Sequence, residues 1–493
     1  MAESALPILI LLCFMGGAVA VVLATLRRPA AAWPITMVAI AAAFGFSLRL
    51  LATVLDGGAV RHRLGGWAAP IGIELVVDGL GAFVICVVTG IALLVGCYAR
   101  WAVRREIPER ESTFFAMVLV LLLGLSGIVL TGDLFNLYVF FEISSLAAYA
   151  LIAVGDKRAV VASFRYLVLG TLGASFYLLG IGFLYTLTGT LNMADAATLL
   201  PELAANPTLR VSVAMIVTGV GLKMAIFPMQ GWLADAYTHA STTTTAIVAP
   251  IMTKVSAYTL IRVLGFVYGF DLASGRLPIG TALAWLSAAG IVVGSVMALA
   301  QTDVKRMLAY SSVAQVSYIG LGIGLAQPWA LVGAVLHVLN HATMKCCLFL
   351  VTGTVQLATG GRTLDDYAGL GRRMPWTFGA FTLAALAMIG IPPTGGFFSK
   401  WYLTVGALEA GAGGLVVVLV GSGLLTAGYM FRLLERVWAR PAPEMVMRPV
   451  GAAAIAPIVV LGIAVVVFGV INTWFVTRVI MPSLPGGMGG GVG

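Results

Sequence analysis

The chain has 493 residues, of which 60% are hydrophobic and 10% charged, with a formal net charge of +9. Soluble domains carry about 25% charged residues, so this composition excludes a soluble enzyme or binding module and specifies an integral membrane protein. Most of the cations lie between apolar runs, a pattern of membrane topology that argues against nucleic acid as a partner.

About 20 apolar residues cross a bilayer. That ruler gives fourteen predicted spans, near 5–25, 33–55, 76–99, 113–131, 135–154, 162–188, 211–230, 241–262, 279–300, 307–326, 330–353, 377–403, 411–437 and 454–477. The first run, ALPILILLCFMGGAVAVVLAT, has no basic lead and no small-residue cleavage site, so it reads as a retained span rather than a signal peptide. The longest predicted loops, 56–75, 189–210 and 354–376, are too short for a water-soluble domain. The tail LPGGMGGGVG reads as coil.

An even number of spans puts both termini on one side. With the loop after span 1 assigned to side A, that side collects 18 of the 29 Lys and Arg, side B collects 6, and five lie inside spans. Side A is therefore expected to be cytoplasmic, with both termini outside.

Taken in order, Asp78 sits at the outer end of span 3 and reads as a helix cap. Glu142, in NLYVFFEISSLAAYAL, is the only acid well inside the spans that precede span 7. Its natural partner is Lys223, five residues before Pro228 in span 7, because opposite charges in a membrane interior tend to pair. A static structural ion pair is the plainer alternative. Proline removes a backbone donor and disfavours helix at the residue before it, so span 7 is expected to break beside its lysine. Lys254 lies midway through span 8, where a charge costs roughly 2.5–3.5 kcal/mol on insertion scales. Asp235 and His239 stand at the side-A mouth after the break and are candidate proton-entry groups or simple loop residues. The run Thr242–Thr245 reads as hydrogen-bonding glue between helices, and Asp303, Lys305 and Arg306 as topology and capping.

Span 11 reads LVGAVLHVLNHATMKCCLFLV. His337, His341 and Lys345 recur at i, i+4 and i+8 and share one helical face. Such a ladder suits proton transfer, since histidine titrates near neutral pH, or interhelical hydrogen bonding. Zinc fits poorly, because the sequence around the two histidines supplies no third ligand. Span 12 contains LAMIGIPPTGGFFSKWYL, a second Pro/Gly interruption followed by Lys400. That lysine either faces the interior or snorkels to the interface. Interrupted spans in corresponding positions point to a transporter's ion site. Spans 7 and 12 are five apart, an odd number, so spans 4–8 and 9–13 are expected to be repeats of inverted orientation. The chain then divides at 1–110, 111–265, 266–440 and 441–493.

The five cysteines fall in apolar runs without a CxxC pair and read as packing residues. No phosphate loop or dinucleotide fingerprint stands out, so no cofactor and no metal is expected.

The strings GDLFNLYVFFE (132–142), GLKMAIFPMQGWL (221–233), MTKVSAYTLIR (252–262), QTDVKRMLAYSSVAQVSYIGLG (301–322), HVLNHATMKCCLFL (337–350) and GIPPTGGFFSKW (390–401) resemble the antiporter-like membrane subunits shared by respiratory complex I and Mrp-type multisubunit sodium/proton antiporters. In length and layout the chain is most similar to the Mrp D subunit, although STTTTAIVAP departs from the expected sequence before span 8. The resemblance implies an all-α membrane fold with about 14 helices. It further implies a Glu142–Lys223 coupled pair, Lys254 as a relay, His337, His341 and Lys345 as the link, and Lys400 as the terminal lysine. The implied partners are other subunits of a multisubunit antiporter, protons, a monovalent cation such as sodium, and the bilayer of the cell membrane. The main expectation is thus a Mrp-type secondary transporter subunit without enzyme chemistry of its own. The alternative is the same proton module in a redox complex such as complex I or a membrane-bound hydrogenase. A scaffold with idle polar groups is the reading from another class, and it predicts no loss of transport when the lysines are replaced.

Overall fold

The structure, a computed structural model, describes residues 3–26, 28–272, 278–442 and 447–485. Most of the glycine-rich tail and Arg27 lie outside these residues.

The fold is helical nearly throughout. Twelve helices among the described residues are long and apolar enough to cross a membrane. The first group is α1 (Leu6–Thr25), α2 (Ala32–Gly57), α3 (Gly79–Glu106), α4 (Glu111–Leu130), α5 (Leu134–Ala153) and α6 (Ala159–Thr188). A short α7 (Met193–Leu199) precedes α8 (Pro207–Met224) and α9 (Gly231–His239), which lie either side of the Pro228 break. Then come α10 (Thr242–Ile261), α11 (Ile279–Leu299), α12 (Val304–Leu325) and α13 (Pro328–Thr359). The one-turn α14 (Leu370–Arg373) leads to α15 (Pro375–Ile389) and α16 (Gly395–Glu409), separated by the Pro392–Pro393 break, and α17 (Gly413–Ala439) and α18 (Ala452–Val470) follow. The interrupted pairs α8/α9 and α15/α16 fall where broken spans 7 and 12 were expected, and they stand outside the twelve.

Two segments differ from the sequence reading. Residues expected as loop and as the start of span 3 form an antiparallel hairpin, β1 (Val60–Arg63) with β2 (Glu74–Val77), Val60 opposite Val77. Leu75 and Val77 are buried on one face, so alternation wins over helical periodicity until Asp78 caps α3. The loop expected at 189–210 carries α7, capped by Asn192.

Caps set the helix starts. Asp133 accepts from Asn136 N and Asp303 from Arg306 N, while the Glu106 carboxylate at the end of α3 accepts from Thr242 N and Thr242 Oγ1 to start α10. The following threonines tie α10 to its neighbours, Thr244 Oγ1 donating to Leu151 O and Thr245 Oγ1 to Tyr237 O.

Every residue of α10 is buried, as is nearly all of α13, while α2, α6 and α17 turn apolar side chains such as Val38, Phe164 and Leu424 outward. Charged groups on α10 and α13 are therefore shielded from the surroundings by protein. That is where intramembrane charge is tolerated.

Candidate functional site

Both helix breaks have their backbone groups met by protein. At the end of α8, Ala225 takes a left-handed conformation with φ 63°, so that Ile226 N reaches Gly221 O at 2.9 Å. Leu222 O also accepts from the Trp232 indole at 3.0 Å. At the end of α15, Gly390 does the same with φ 96° and Ile391 N reaches Leu386 O. Asn340 Nδ2 donates to Gly395 O at 2.6 Å, which ties α13 to the start of α16. Irregular backbone at membrane depth needs such partners.

Lys223 occupies the last turn of α8 and is almost fully buried. Its Nζ donates to Ser145 Oγ at 2.5 Å and lies 3.4 Å from Tyr149 Oη and 4.0 Å from Glu142 Oε1. Three residues of α5 thus face one ammonium, and the hydroxyl of Ser145 comes closer than the carboxylate. Glu142 Oε1 has no hydrogen-bond partner among the described residues. Ser145 and Tyr149, at i+3 and i+7 from Glu142, were absent from the sequence reading, although helical spacing alone puts them on its face.

The second group gathers where α10, α12, α13 and α16 meet. Lys254 is buried and donates to Ala249 O at 2.7 Å and Thr253 Oγ1 at 3.3 Å. Lys345 donates to Leu308 O at 2.7 Å and Ser311 Oγ at 2.5 Å. His337 is held between Ser399 Oγ (2.8 Å from Nδ1) and Gln315 Oε1 (3.1 Å from Nε2). His341 stacks on it with centroids 5.6 Å apart and lies within electrostatic range of Lys254, Lys345 and Lys400. Lys400 does not snorkel. Its Nζ turns to Met388 O at 2.7 Å and Ile389 O at 3.2 Å, the last carbonyls of α15, and lies 4.9 Å from the centroid of the Tyr318 ring. The lysines of the two interrupted pairs occupy opposite sides of their breaks, Lys223 before and Lys400 after.

An aromatic run separates the two groups. Lys223 lies over Tyr149, which meets Tyr166, which stacks on Trp232 at 3.8 Å, followed by Tyr237 and then Phe349 under Lys345.

At the side-A mouth, Asp235 is shared by Arg165 (2.9 Å) and Arg306 (3.5 Å), and His239 Nδ1 lies 3.0 Å from Asp156 Oδ2. Asp235 and His239 line one cavity of about 440 Å³ with Arg158 and the two arginines. Burial works against the charge of Asp156, but hydrogen bonds from His239, Arg158 N and Arg362 outweigh it and hold the carboxyl below its ordinary value. Lys305, read from sequence as topology, is buried at the first turn of α12 and donates to Ala240 O at 2.6 Å.

A family model described as NADH:quinone oxidoreductase/Mrp antiporter, TM, matches residues 131–426. The chain is 49% identical over 453 residues to the NADH-quinone oxidoreductase subunit N of Desulforudis audaxviator, covering 89% of this chain and 90% of that one. It is 32% identical over 386 residues to the D subunit of the Na(+)/H(+) antiporter of Bacillus subtilis, covering 78% and 77%. A chain of the membrane-bound sulfane sulfur reductase, an archaeal respiratory membrane complex, superposes with a TM-score of 0.89 at 32% identity and 96% coverage of each chain. The motifs pointed to this same group, and the chain belongs to the NADH:quinone oxidoreductase/Mrp antiporter transmembrane family.

Proposed function

We propose that this chain is a proton-translocating, antiporter-like subunit of a multisubunit membrane complex, and that the complex is redox-driven. The observation that carries proton movement is the cluster of Lys254, His337, His341, Lys345 and Lys400, the first four buried and Lys400 half-buried, in which the lysines and His337 are bound by carbonyls, hydroxyls and an amide and, among the described residues, by no carboxylate. Buried lysine releases its proton far more readily than lysine in water, which suits it to accept and pass protons near neutral pH. The Glu142 and Lys223 pair is the switch. While the carboxylate stays within 4.0 Å the ammonium keeps its proton, and separation of the two drives that proton toward Lys254. Asp235 and His239 admit protons from side A.

The redox host, the alternative in the sequence reading, is favoured by the 49% identity to a NADH-quinone oxidoreductase subunit N, against 32% for the antiporter relative. A Mrp-type sodium/proton antiporter is the second reading, supported by coverage of most of that relative's length. In either host the chain has no redox chemistry of its own and works with partner subunits in the cell membrane, side A inward and both termini outward.

Purification of the native complex with identification of its subunits tests the host. Co-purifying flavin or iron–sulfur subunits are expected, and a complex made only of antiporter subunits would replace the redox reading by the Mrp one. Proton translocation by assembled Lys254→Ala complex tests the axis. It should be lost, and a wild-type rate would overturn the proposal.

A further inference from the structure

Asp78 caps α3, accepting from Gly81 N at 2.9 Å, but the same carboxylate has a second partner. Arg262, just past the end of α10, meets it with two parallel hydrogen bonds, Nη1 to Oδ2 at 2.6 Å and Nη2 to Oδ1 at 2.7 Å. The guanidinium also donates to Tyr258 Oη, from Nη2 at 2.9 Å and from Nε at 3.2 Å, and Tyr258 Oη donates to Val129 O at 2.9 Å. The Phe266 ring covers the guanidinium at 4.2 Å.

Lys254, Tyr258 and Arg262 recur at i, i+4 and i+8, so their backbone positions form a column along one face of α10, about 12 Å long at 1.5 Å per residue, with the Lys254 ammonium turned back from Tyr258 toward Ala249 O. Its lower members are buried, at 1% exposure for Lys254 and 2% for Tyr258. Its upper end opens out. Asp78 lines two side-B cavities, of about 730 Å³ and 230 Å³, and both also touch Ala59 and Phe266. The ion pair therefore stands between a proton-binding lysine and the outer water space.

We propose that the Asp78–Arg262 pair is the side-B gate of the Lys254 site. A fixed guanidinium in a narrow polar passage repels protons and does not itself release one. With the fork closed, Arg262 blocks the column above Tyr258. When the fork opens toward the vestibule, water reaches Lys254, whose ammonium passes one proton through that water to the outer side and is left as a neutral amine. The gate rests on the reading of Lys254 as a proton carrier. A static clamp between α3 and α10 would change stability alone, whereas a gate also controls leak.

The test is passive proton conductance of the whole complex in liposomes under an imposed pH gradient, without its driving reaction. Asp78→Asn combined with Arg262→Gln replaces the ion pair with two amides and keeps a capping side chain at position 78. This variant should leak several-fold faster than wild type, and adding Lys254→Ala should return the leak to the wild-type level. An unchanged leak, or one that persists with Lys254→Ala, would overturn the gate. If the amide pair does not assemble, Tyr258→Phe loosens Arg262 while keeping the ring, and an assembled, tight Tyr258→Phe complex would count equally against the gate. Coupled translocation at the wild-type rate in Lys254→Ala alone would instead sink the reading of Lys254. Loss of translocation there, with no leak in the amide pair, would sink the gate only.

Discussion

His337 and His341 stack on α13 with centroids 5.6 Å apart and planes 19° from parallel, yet only His337 is tied down. Its two nitrogens meet Ser399 and Gln315, whereas neither nitrogen of His341 has a hydrogen-bond partner among the described residues. Leaving a buried polar group unpaired costs about 1–3 kcal/mol. Under the proposed proton axis the unpaired ring is the one that exchanges protons, while its neighbour ties α13 to α12 and α16.

The two histidines should therefore separate on substitution. His337→Ala leaves Gln315 Oε1 without its partner and should destabilise the complex by about 1–3 kcal/mol more than His341→Ala does, read as a lower thermal midpoint. His341→Ala should cost only the cavity it opens, giving the smaller fall in midpoint, and should abolish translocation. Equal thermal losses for the two would remove this division of roles.

Around Lys223 the close contact is Ser145 rather than Glu142. Glu142→Gln should lower translocation by roughly tenfold or more, a barrier change of about 1.4 kcal/mol, by removing the charge that holds the proton on the lysine. Ser145→Ala removes a neutral hydrogen bond and should cost less than Glu142→Gln in everted vesicles. A larger loss for Ser145→Ala would make the hydroxyl, not the carboxylate, the switch.

Much of this site could be read from sequence because buried charge is rare enough in a membrane span to stand out one residue at a time. Lys223, Lys254 and Lys400 were identified that way, as were the breaks at Pro228 and Pro392. Their partners were hidden for the opposite reason. Ser145, Ser311, Ser399 and Gln315 are ordinary in a helix, and only the approach of α8 to α5, and of α12 and α16 to α13, brings them to the histidines and lysines. Asp78 illustrates the same limit. Its cap was local and legible, but Arg262 lies 184 residues away. The hairpin was missed because its four-residue strands adjoin an apolar run that periodicity assigns to helix.

Trp232 closes the α8 break and stacks in the aromatic run between the two lysine groups. Trp232→Phe keeps a ring but loses the indole donor to Leu222 O, for a cost of about 0.5–1.5 kcal/mol. Trp232→Ala also opens a cavity and should cost about 3–5 kcal/mol. Thermal unfolding of the detergent-solubilised complex measures both, and equal midpoints for the two variants would show that the stack contributes nothing.

Asp156 latches the connector between α5 and α6 to the α9 end, through His239 Nδ1 and through Asp156 N donating to His239 O at 2.9 Å. Its folded carboxyl titrates below the ordinary value. The latch is therefore fully present above the unfolded carboxylate pKa of about 3.9 and is lost as pH falls through the lower folded value. Amide exchange in residues 154–158 should stay slow through neutral and mildly acidic pH and quicken only in strong acid. Asp156→Asn should quicken it at pH 7, and unchanged exchange in that variant would dismiss the latch.

Lys400 makes the sharpest test of relay against structure, because its ammonium does two separable things. It donates to Met388 O and Ile389 O and so completes the broken end of α15, and it stands within electrostatic range of His337 and His341. Lys400→Ala removes both roles at once and should reduce translocation with some loss of assembly. Lys400→Arg keeps donors for the two carbonyls, but arginine holds its proton at any physiological pH. If the lysine serves only to cap the break, the arginine variant should assemble and translocate like wild type. If it hands on a proton, the arginine variant should assemble at wild-type abundance and translocate no better than Lys400→Ala. Complex abundance on native gels, set beside proton uptake in everted vesicles, separates these outcomes, and an active arginine variant would end the case for Lys400 as a relay.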